Sequence, residues 1–185
     1  MPKTILVKNI TSLSEARYCS GMMVDFISFD LSPESADFVD LKEFEEIKNW
    51  LSGVKILGSY NTDDIFKIIE ALNLYKLDGF IFEENQKSML EDIDSATKFL
   101  EIDNVENFES NLNADFIILK DIKQKESIQE WSKEYNVLLG YEFENINSHH
   151  EEIAGYAFKG SKELRPGINN YDSLMEALEK LEDLN

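Results

Sequence analysis

Eight times along this chain, a short run of apolar, β-branched and aromatic residues ends in a polar or small-residue turn. In most cases a helical pattern follows before the next run begins. The runs are Thr4–Lys8, Asp25–Asp30, Val54–Tyr60, Leu77–Phe82, Thr97–Ile102, Asp115–Leu119, Val137–Leu139 and Tyr156–Phe158. Strands this short and this apolar are buried on both faces, which is the condition of a parallel sheet whose connections are helices packed over it. Eight such units favour a closed (β/α)8 TIM barrel over an open doubly wound sheet. The aromatics Phe26, Phe29, Phe80 and Phe82 follow strand alternation and belong to the packing of such a barrel, with no cofactor needed to explain them.

The helices are marked less evenly. Ser12 and Ser14 are candidate caps for a first helix through Cys19, closed by Gly21. Asp40 with Glu43 opens a second that runs to Leu51, and Ser52-Gly53 stops it. Asn61 or Thr62 caps a third, with Ile65, Phe66, Ile69 and Leu72 on one face. After the fourth strand, Met89, Leu90 and Ile93 form a modest stripe, and Val105–Leu112 reads as a short helix. Lys125–Tyr135 turns Ile128 and Trp131 inward, Asn145–Glu152 is at best a short helix, and Tyr171–Leu184 is the last. At about 23 residues per unit the chain is small for this fold, so several helices, chiefly the fourth, fifth and seventh, are expected to be short or replaced by loops. A single domain over 1–185 is expected.

Charge narrows the function. With 18 Lys and Arg against 37 Asp and Glu, the net charge is −19. Nucleic-acid backbones need clustered cations, so nucleic acid is excluded as a general partner. Cys19 is the only cysteine, which leaves neither an intramolecular disulfide nor a Cys-rich metal site. The start MPKTILVKNI is too short and polar for a signal peptide, and no run approaches the roughly 18 apolar residues of a membrane span. A soluble cytoplasmic protein is expected, and the sequence leaves its oligomeric state open.

The stretch Tyr156–Leu178 concentrates the site-like features. A strand passes through Gly160-Ser161 toward Glu163, Arg165, Pro166 and Gly167, and a capped amphipathic helix follows. Exposed amides at such a turn, together with a helix dipole, make an anion site, with Lys159 and Arg165 as nearby cations. Glu163 with Arg165 reads equally as a surface pair. Glu83-Glu84, Glu142 and Glu144 lie at strand C-termini, where barrel sites form, and suit a divalent cation or a cationic ligand if they are more than acidic loops. His149-His150 is read as a surface pair, because adjacent helical residues diverge and no third ligand type accompanies them; no metal is expected.

Several segments together resemble one family. VKNITSLSEARYCSGMMVDFISFDLSPES is similar to the opening of the phosphoribosylanthranilate isomerases, which reads K-I-C-G-I-T, a helix, G-A-D-x-x-G-F and an S-P-R loop. VKILGSYNTDD resembles the family's third strand with its V-N turn, LDGFIFEEN its fourth, and GSKELRPGINNYD its S-G-V-E-x-x-P-G-x-K-D ending. The resemblance implies a (β/α)8 barrel, a small phosphorylated ligand and no cofactor. It also implies an Amadori rearrangement driven by a cysteine base after strand one and an aspartate acid after strand six, since that chemistry needs two titratable groups about the substrate.

The residues at those places differ. Asn9 stands nearest the base position and has no basicity near neutral pH. Lys120 stands at the acid position, with Asp121 displaced by one residue and hence onto the other face of a regular strand. Glu34 replaces the S-P-R arginine, and Cys19 lies in the first helix, where it is expected to pack. Of the three phosphate turns, the one after strand six is DIKQKES, and the one at strand seven is Leu139-Gly140-Tyr141-Glu142, which brings a carboxylate. Backbone-donor character persists at Gly160-Ser161, so Gly140, Gly160 and Ser161 are the candidate phosphate contacts. The implied function is that of a phosphoribosylanthranilate isomerase-like barrel without efficient isomerase activity. The alternatives are an isomerase, of this or a related sugar phosphate, that uses Asp121 with Glu83, and a non-catalytic binding module.

Overall fold

A computed structural model describes residues 2–103, 105–120, 125–142, 146, 151–160, 163–165, 168–169 and 172–184; at 125–126, 163–165, 168–169 and 184 it describes the backbone alone. Eight parallel strands close on themselves in sequence order: β1 Thr4–Lys8, β2 Phe26–Asp30, β3 Lys55–Ser59, β4 Gly79–Phe82, β5 Thr97–Ile102, β6 Phe116–Leu119, β7 Asn136–Gly140 and β8 Gly155–Lys159. The ring closes where β8 pairs with β1, from Thr4 opposite Gly155 to Lys8 opposite Lys159. The expected (β/α)8 barrel is the fold.

Alternation along each strand builds two cores. Leu6, Phe26, Leu57, Ile81, Phe99, Ile118, Leu138 and Ala157 point inward and fill the barrel. Their neighbours, among them Val7, Ile27, Phe80, Leu100, Ile117, Leu139 and Phe158, point outward into the layer shared with the helices. Those helices are α1 Leu13–Gly21, α2 Leu41–Lys48, α3 Ile65–Leu74, α4 Lys125–Glu134 and α5 Asp172–Leu184. Ser12 caps α1 by accepting from the Glu15 amide at 3.3 Å, and Asp40 caps α2 by accepting from Glu43 at 2.9 Å, as their sequence patterns predict. Cys19 is fully buried, and burial followed by the charge of Glu15 pushes its thiol up to about 12, so it packs and does not react.

At the N-terminal end of the barrel a carboxylate clasp recurs. The aspartate just before each of β2, β4 and β6 accepts an amide proton from the preceding strand. Ile5 N donates to Asp25 at 2.8 Å, Ile56 N to Asp78 at 2.7 Å and Lys98 N to Asp115 at 2.7 Å. Ala154 holds the corresponding place before β8 and supplies only backbone bonds. Charge-assisted bonds of this kind contribute about 1–2 kcal/mol each. Asp78→Ala is expected to lose that much in a urea denaturation series, whereas Asp78→Asn, which keeps an acceptor, loses less.

Three local expectations are corrected. Asp64, two or three residues after Asn61 and Thr62, caps α3 by accepting from Phe66 N at 3.0 Å. The helix starts late because Gln86 Nε2 holds the carbonyls of Tyr60 and Thr62 at 2.8 and 2.6 Å, which keeps that segment extended. The stripe after β4 is a 3-10 helix, Glu84–Asp92. Among the described residues, 105–112 contain no helix. Trp131 of α4 and Tyr135 just after it satisfy that segment's backbone instead: Trp131 Nε1 donates to Val105 O, Tyr135 OH donates to Glu109 O, and Leu112 N donates to the same hydroxyl, each at 2.9 Å. Most of 145–152 lies outside the described residues. Two short antiparallel strands, β9 Glu163–Arg165 and β10 Ile168–Asn169, precede α5 and were not expected.

Candidate functional site

The two-residue period that fills the barrel also decides what lines its C-terminal mouth. Continued to within one residue of each strand's end, the inward register falls on Lys8, Asp30, Ser59, Glu83, Glu101, Lys120, Gly140 and Lys159, one residue from each strand in turn. In a closed ring of eight, strands four apart lie across the axis from one another. Lys8 of β1 therefore stands opposite Glu101 of β5, Asp30 opposite Lys120, and Glu83 opposite Lys159. Each of these three pairs joins opposite charges.

The first pair meets. Lys8 Nζ lies 2.6 Å from Glu101 Oε1 in an ion pair that crosses the barrel axis and floors the mouth. Glu101 is 2% exposed and Lys8 8%. Lys120 Nζ reaches the other carboxylate oxygen at 3.2 Å and Asp103 at 2.7 Å, and the Tyr141 hydroxyl donates to Glu101 Oε1. Burial pushes the Glu101 carboxyl up, but Lys8, the Tyr141 hydroxyl and Lys120 outweigh it and hold the group below its ordinary range. Burial likewise opposes the charge of Lys120, and its bonds to Asp103 and Glu101 win, so its ammonium persists to higher pH than usual. Burial and then Glu101 push the Tyr141 phenol well above its usual range.

Above this floor a cavity of about 450 Å³ opens between the other two charge pairs. Asp30, Glu34 and Glu83 lie on the β2–β4 side, and Lys120, Tyr141 and Lys159 on the β6–β8 side. Lys159 Nζ sits 5.0 Å from the centre of the Tyr141 ring and has no ion pair among the described residues. Ser32, Ser59 and Asn61 add hydroxyl and amide groups to the wall.

The structure brings Glu83, Asn9 and Lys120 to this mouth. Asn9 has φ +60° and donates from its amide to Asp37 at 3.1 Å. Gly140 ends β7, where a side chain would meet Ile118 at 3.0 Å and Ala157 at 3.4 Å, so interior packing already accounts for the glycine. Gly160 donates its N–H to Lys8 O at 2.6 Å, continuing the β8–β1 ladder. A Cβ on it would stand 2.9 Å from Oε2 of Glu15, which is itself fully buried. Glu142 is exposed. Asp121, Ser161, Glu144, His149 and His150 lie outside the described residues, as does the Arg165 side chain. Among the described residues no group of His, Cys, Asp and Glu is placed to hold a metal, and no helix is long and apolar enough to cross a membrane.

Sequence reasoning missed Glu101, Lys8 and Tyr141 as the floor of the site. The available signal was parity: stepping by two from Phe99 and from Leu6 lands on Glu101 and Lys8.

No family model matches the sequence, and no curated protein does. Solved structures do match. Phosphoribosyl anthranilate isomerase from Thermus thermophilus superposes with a TM-score of 0.78 at 16% identity, covering 98% of this chain and 100% of that one. A phosphoribosyl anthranilate isomerase in complex with reduced 1-(o-carboxyphenylamino)-1-deoxyribulose 5-phosphate gives 0.78 at 18%, covering 98% and 99%. The Thermococcus kodakaraensis isomerase gives 0.73 at 14%, covering 99% and 100%. The likeness extends from end to end in these structures, and the chain carries the fold of the phosphoribosylanthranilate isomerases.

Proposed function

We propose that this chain is a divergent member of the phosphoribosylanthranilate isomerase family that does not carry out the family's rearrangement efficiently and keeps the barrel mouth as a small-molecule site. The observation that carries this reading is the ion-paired floor. At the implied acid position stands Lys120, tied to Asp103 and Glu101. At the implied base position stands Asn9, an amide bonded to Asp37. Glu101, held below its ordinary range, is a weakened base and Tyr141, held above its own, a weakened acid, which disfavours either as a substitute for the missing proton transfer. The sugar phosphate loses support as well, because the Gly160 amide is engaged by Lys8 and the buried Glu15 carboxylate backs onto that turn. A phosphorylated ligand is drawn from the isomerase complex alone, and a cytoplasmic setting from the same likeness.

Glu83 favours one second reading. It lines the same cavity, and an isomerase that uses it with Asp121 needs both carboxylates at the mouth. The purified protein should show no turnover of phosphoribosylanthranilate above the uncatalysed rate, and its gene should not rescue a tryptophan auxotroph lacking the isomerase. Turnover that Glu83→Gln abolishes would replace the first reading with the second.

A further inference from the structure

The mouth is segregated by charge across a diameter. On the β2–β4 side, Asp30, Glu34 and Glu83 have no cationic partner among the described residues. On the β6–β8 side, Lys159 has no anionic partner among the described residues, and Lys120, two strands away around the ring, lines the same cavity while paired with Glu101 and Asp103. The first ring pair, Lys8 with Glu101, neutralises itself across the axis, whereas the Asp30–Lys120 and Glu83–Lys159 pairs are held apart by the cavity between them. A simple anion would meet the three carboxylates, and a simple cation the two lysines. A molecule with one charge of each sign satisfies both walls at once, and only in one orientation.

The lining decides the remainder of the chemistry. Among the described residues, Ile81 is the only aliphatic side chain lining this cavity of about 450 Å³, accompanied by Tyr60 and Tyr141, so an aryl group gains little burial there. Ser32, Ser59 and Asn61 offer hydrogen bonds to hydroxyl groups between the charged ends.

We propose that the barrel mouth binds a small polyhydroxylated zwitterion, an amino sugar acid in chemical class. Its carboxylate lies toward Lys159 and Lys120, and its ammonium toward Glu83 and Asp30. The proposal rests on the reading of the mouth as a ligand site that has lost the isomerase chemistry, and it adds what that reading leaves open.

Three probes of one open-chain carbon skeleton test it by titration calorimetry: 6-amino-6-deoxy-D-gluconate carries both charges, one at each end, D-gluconate only the negative and 6-amino-6-deoxy-D-glucitol only the positive. The zwitterion is expected to bind at least about tenfold more tightly than either partner, a difference of about 1.4 kcal/mol. Lys159→Gln should bring the aminogluconate down to the aminoglucitol level, and Glu83→Gln to the gluconate level. The charge-swapped double variant, Lys159→Glu with Glu83→Lys, should recover the preference that either single reversal removes. Both residues project from strand ends and neither belongs to the floor, so thermal melting should show these variants folded. Equal binding of gluconate and the aminogluconate would overturn the proposal. So would failure of all three probes with folded protein, or tighter binding of reduced 1-(o-carboxyphenylamino)-1-deoxyribulose 5-phosphate than of the aminogluconate. Turnover of phosphoribosylanthranilate with the zwitterion preference intact would sink the functional reading alone. No turnover and no preference would sink the ligand proposal alone.

Discussion

Replacing Glu101 by alanine should destabilise the barrel by about 3–5 kcal/mol, the cost of leaving a buried charge without its partner. Lys8 would lose its anion at a position where it is 8% exposed, and the Tyr141 hydroxyl would lose its acceptor. Lys120 would suffer less, because it keeps Asp103 at 2.7 Å. A buried ion pair is not itself strong evidence of stability, since desolvation offsets much of the attraction. The double variant Lys8→Met with Glu101→Leu should therefore recover most of what Glu101→Ala loses. A urea double-mutant cycle measures both arms, and a double variant as unstable as the single would count against this account.

The pH dependence has a definite sign. The folded carboxyl titrates below its ordinary 4.5, so Glu101 contributes its full share above about pH 4.5, and that share is lost as pH falls through the lower folded value. The stability gap between wild type and Glu101→Gln should be level from pH 6 to 8 and narrow on acidification. Lys120, raised above 10.5, behaves in the opposite sense: its contribution is present below that value and is lost as pH rises through the folded one.

Gly155→Ala should be as damaging, for a purely steric reason. A Cβ there would stand 1.8 Å from Thr4 O and under 3 Å from Thr4 C and N, all of them backbone. No rotamer can relieve such a collision, and the pairing that must yield is the one through which β8 closes the ring on β1. A loss of about 3 kcal/mol or more is expected, with exposed apolar surface detectable by dye binding. Gly21→Ala provides the contrast. Nothing lies within 4 Å of its added methyl, so a change of less than about 1 kcal/mol is expected, in the stabilising direction.

These two effects mark where the sequence was legible. The strands could be read because runs such as TILVK and FIIL admit few other uses, and closure followed from counting them. Asp40 and Ser12 could be read as caps because their partners are local. The floor of the mouth was not legible, because Lys8 and Glu101 are 93 residues apart and meet only once the ring places β1 across from β5. Taken alone, each looks like the polar end of a strand. Residues 105–112 misled for a related reason: their apolar spacing serves contacts with Trp131 and Tyr135 and not a helical face. Asn9 and Lys120 were singled out by resemblance and line the cavity, but the partners that hold them, Asp37 for the one and Glu101 with Asp103 for the other, lie on distant segments of the chain.

The aspartate clasps carry one more consequence. They bind β1 to β2, β3 to β4 and β5 to β6, and Ala154 leaves the last strand without one. A barrel has no edge while it is shut, but any opening creates two, each an invitation to pair with another chain. The β8–β1 junction that closes the ring carries no clasp, and parting it would uncover a strand that reads TILV, flanked by Lys3 and Lys8. Two ammonium groups bracketing an aggregation-prone tetrapeptide are gatekeepers. The lysine that neutralises Glu101 in the closed barrel thus guards against self-association when the barrel is open.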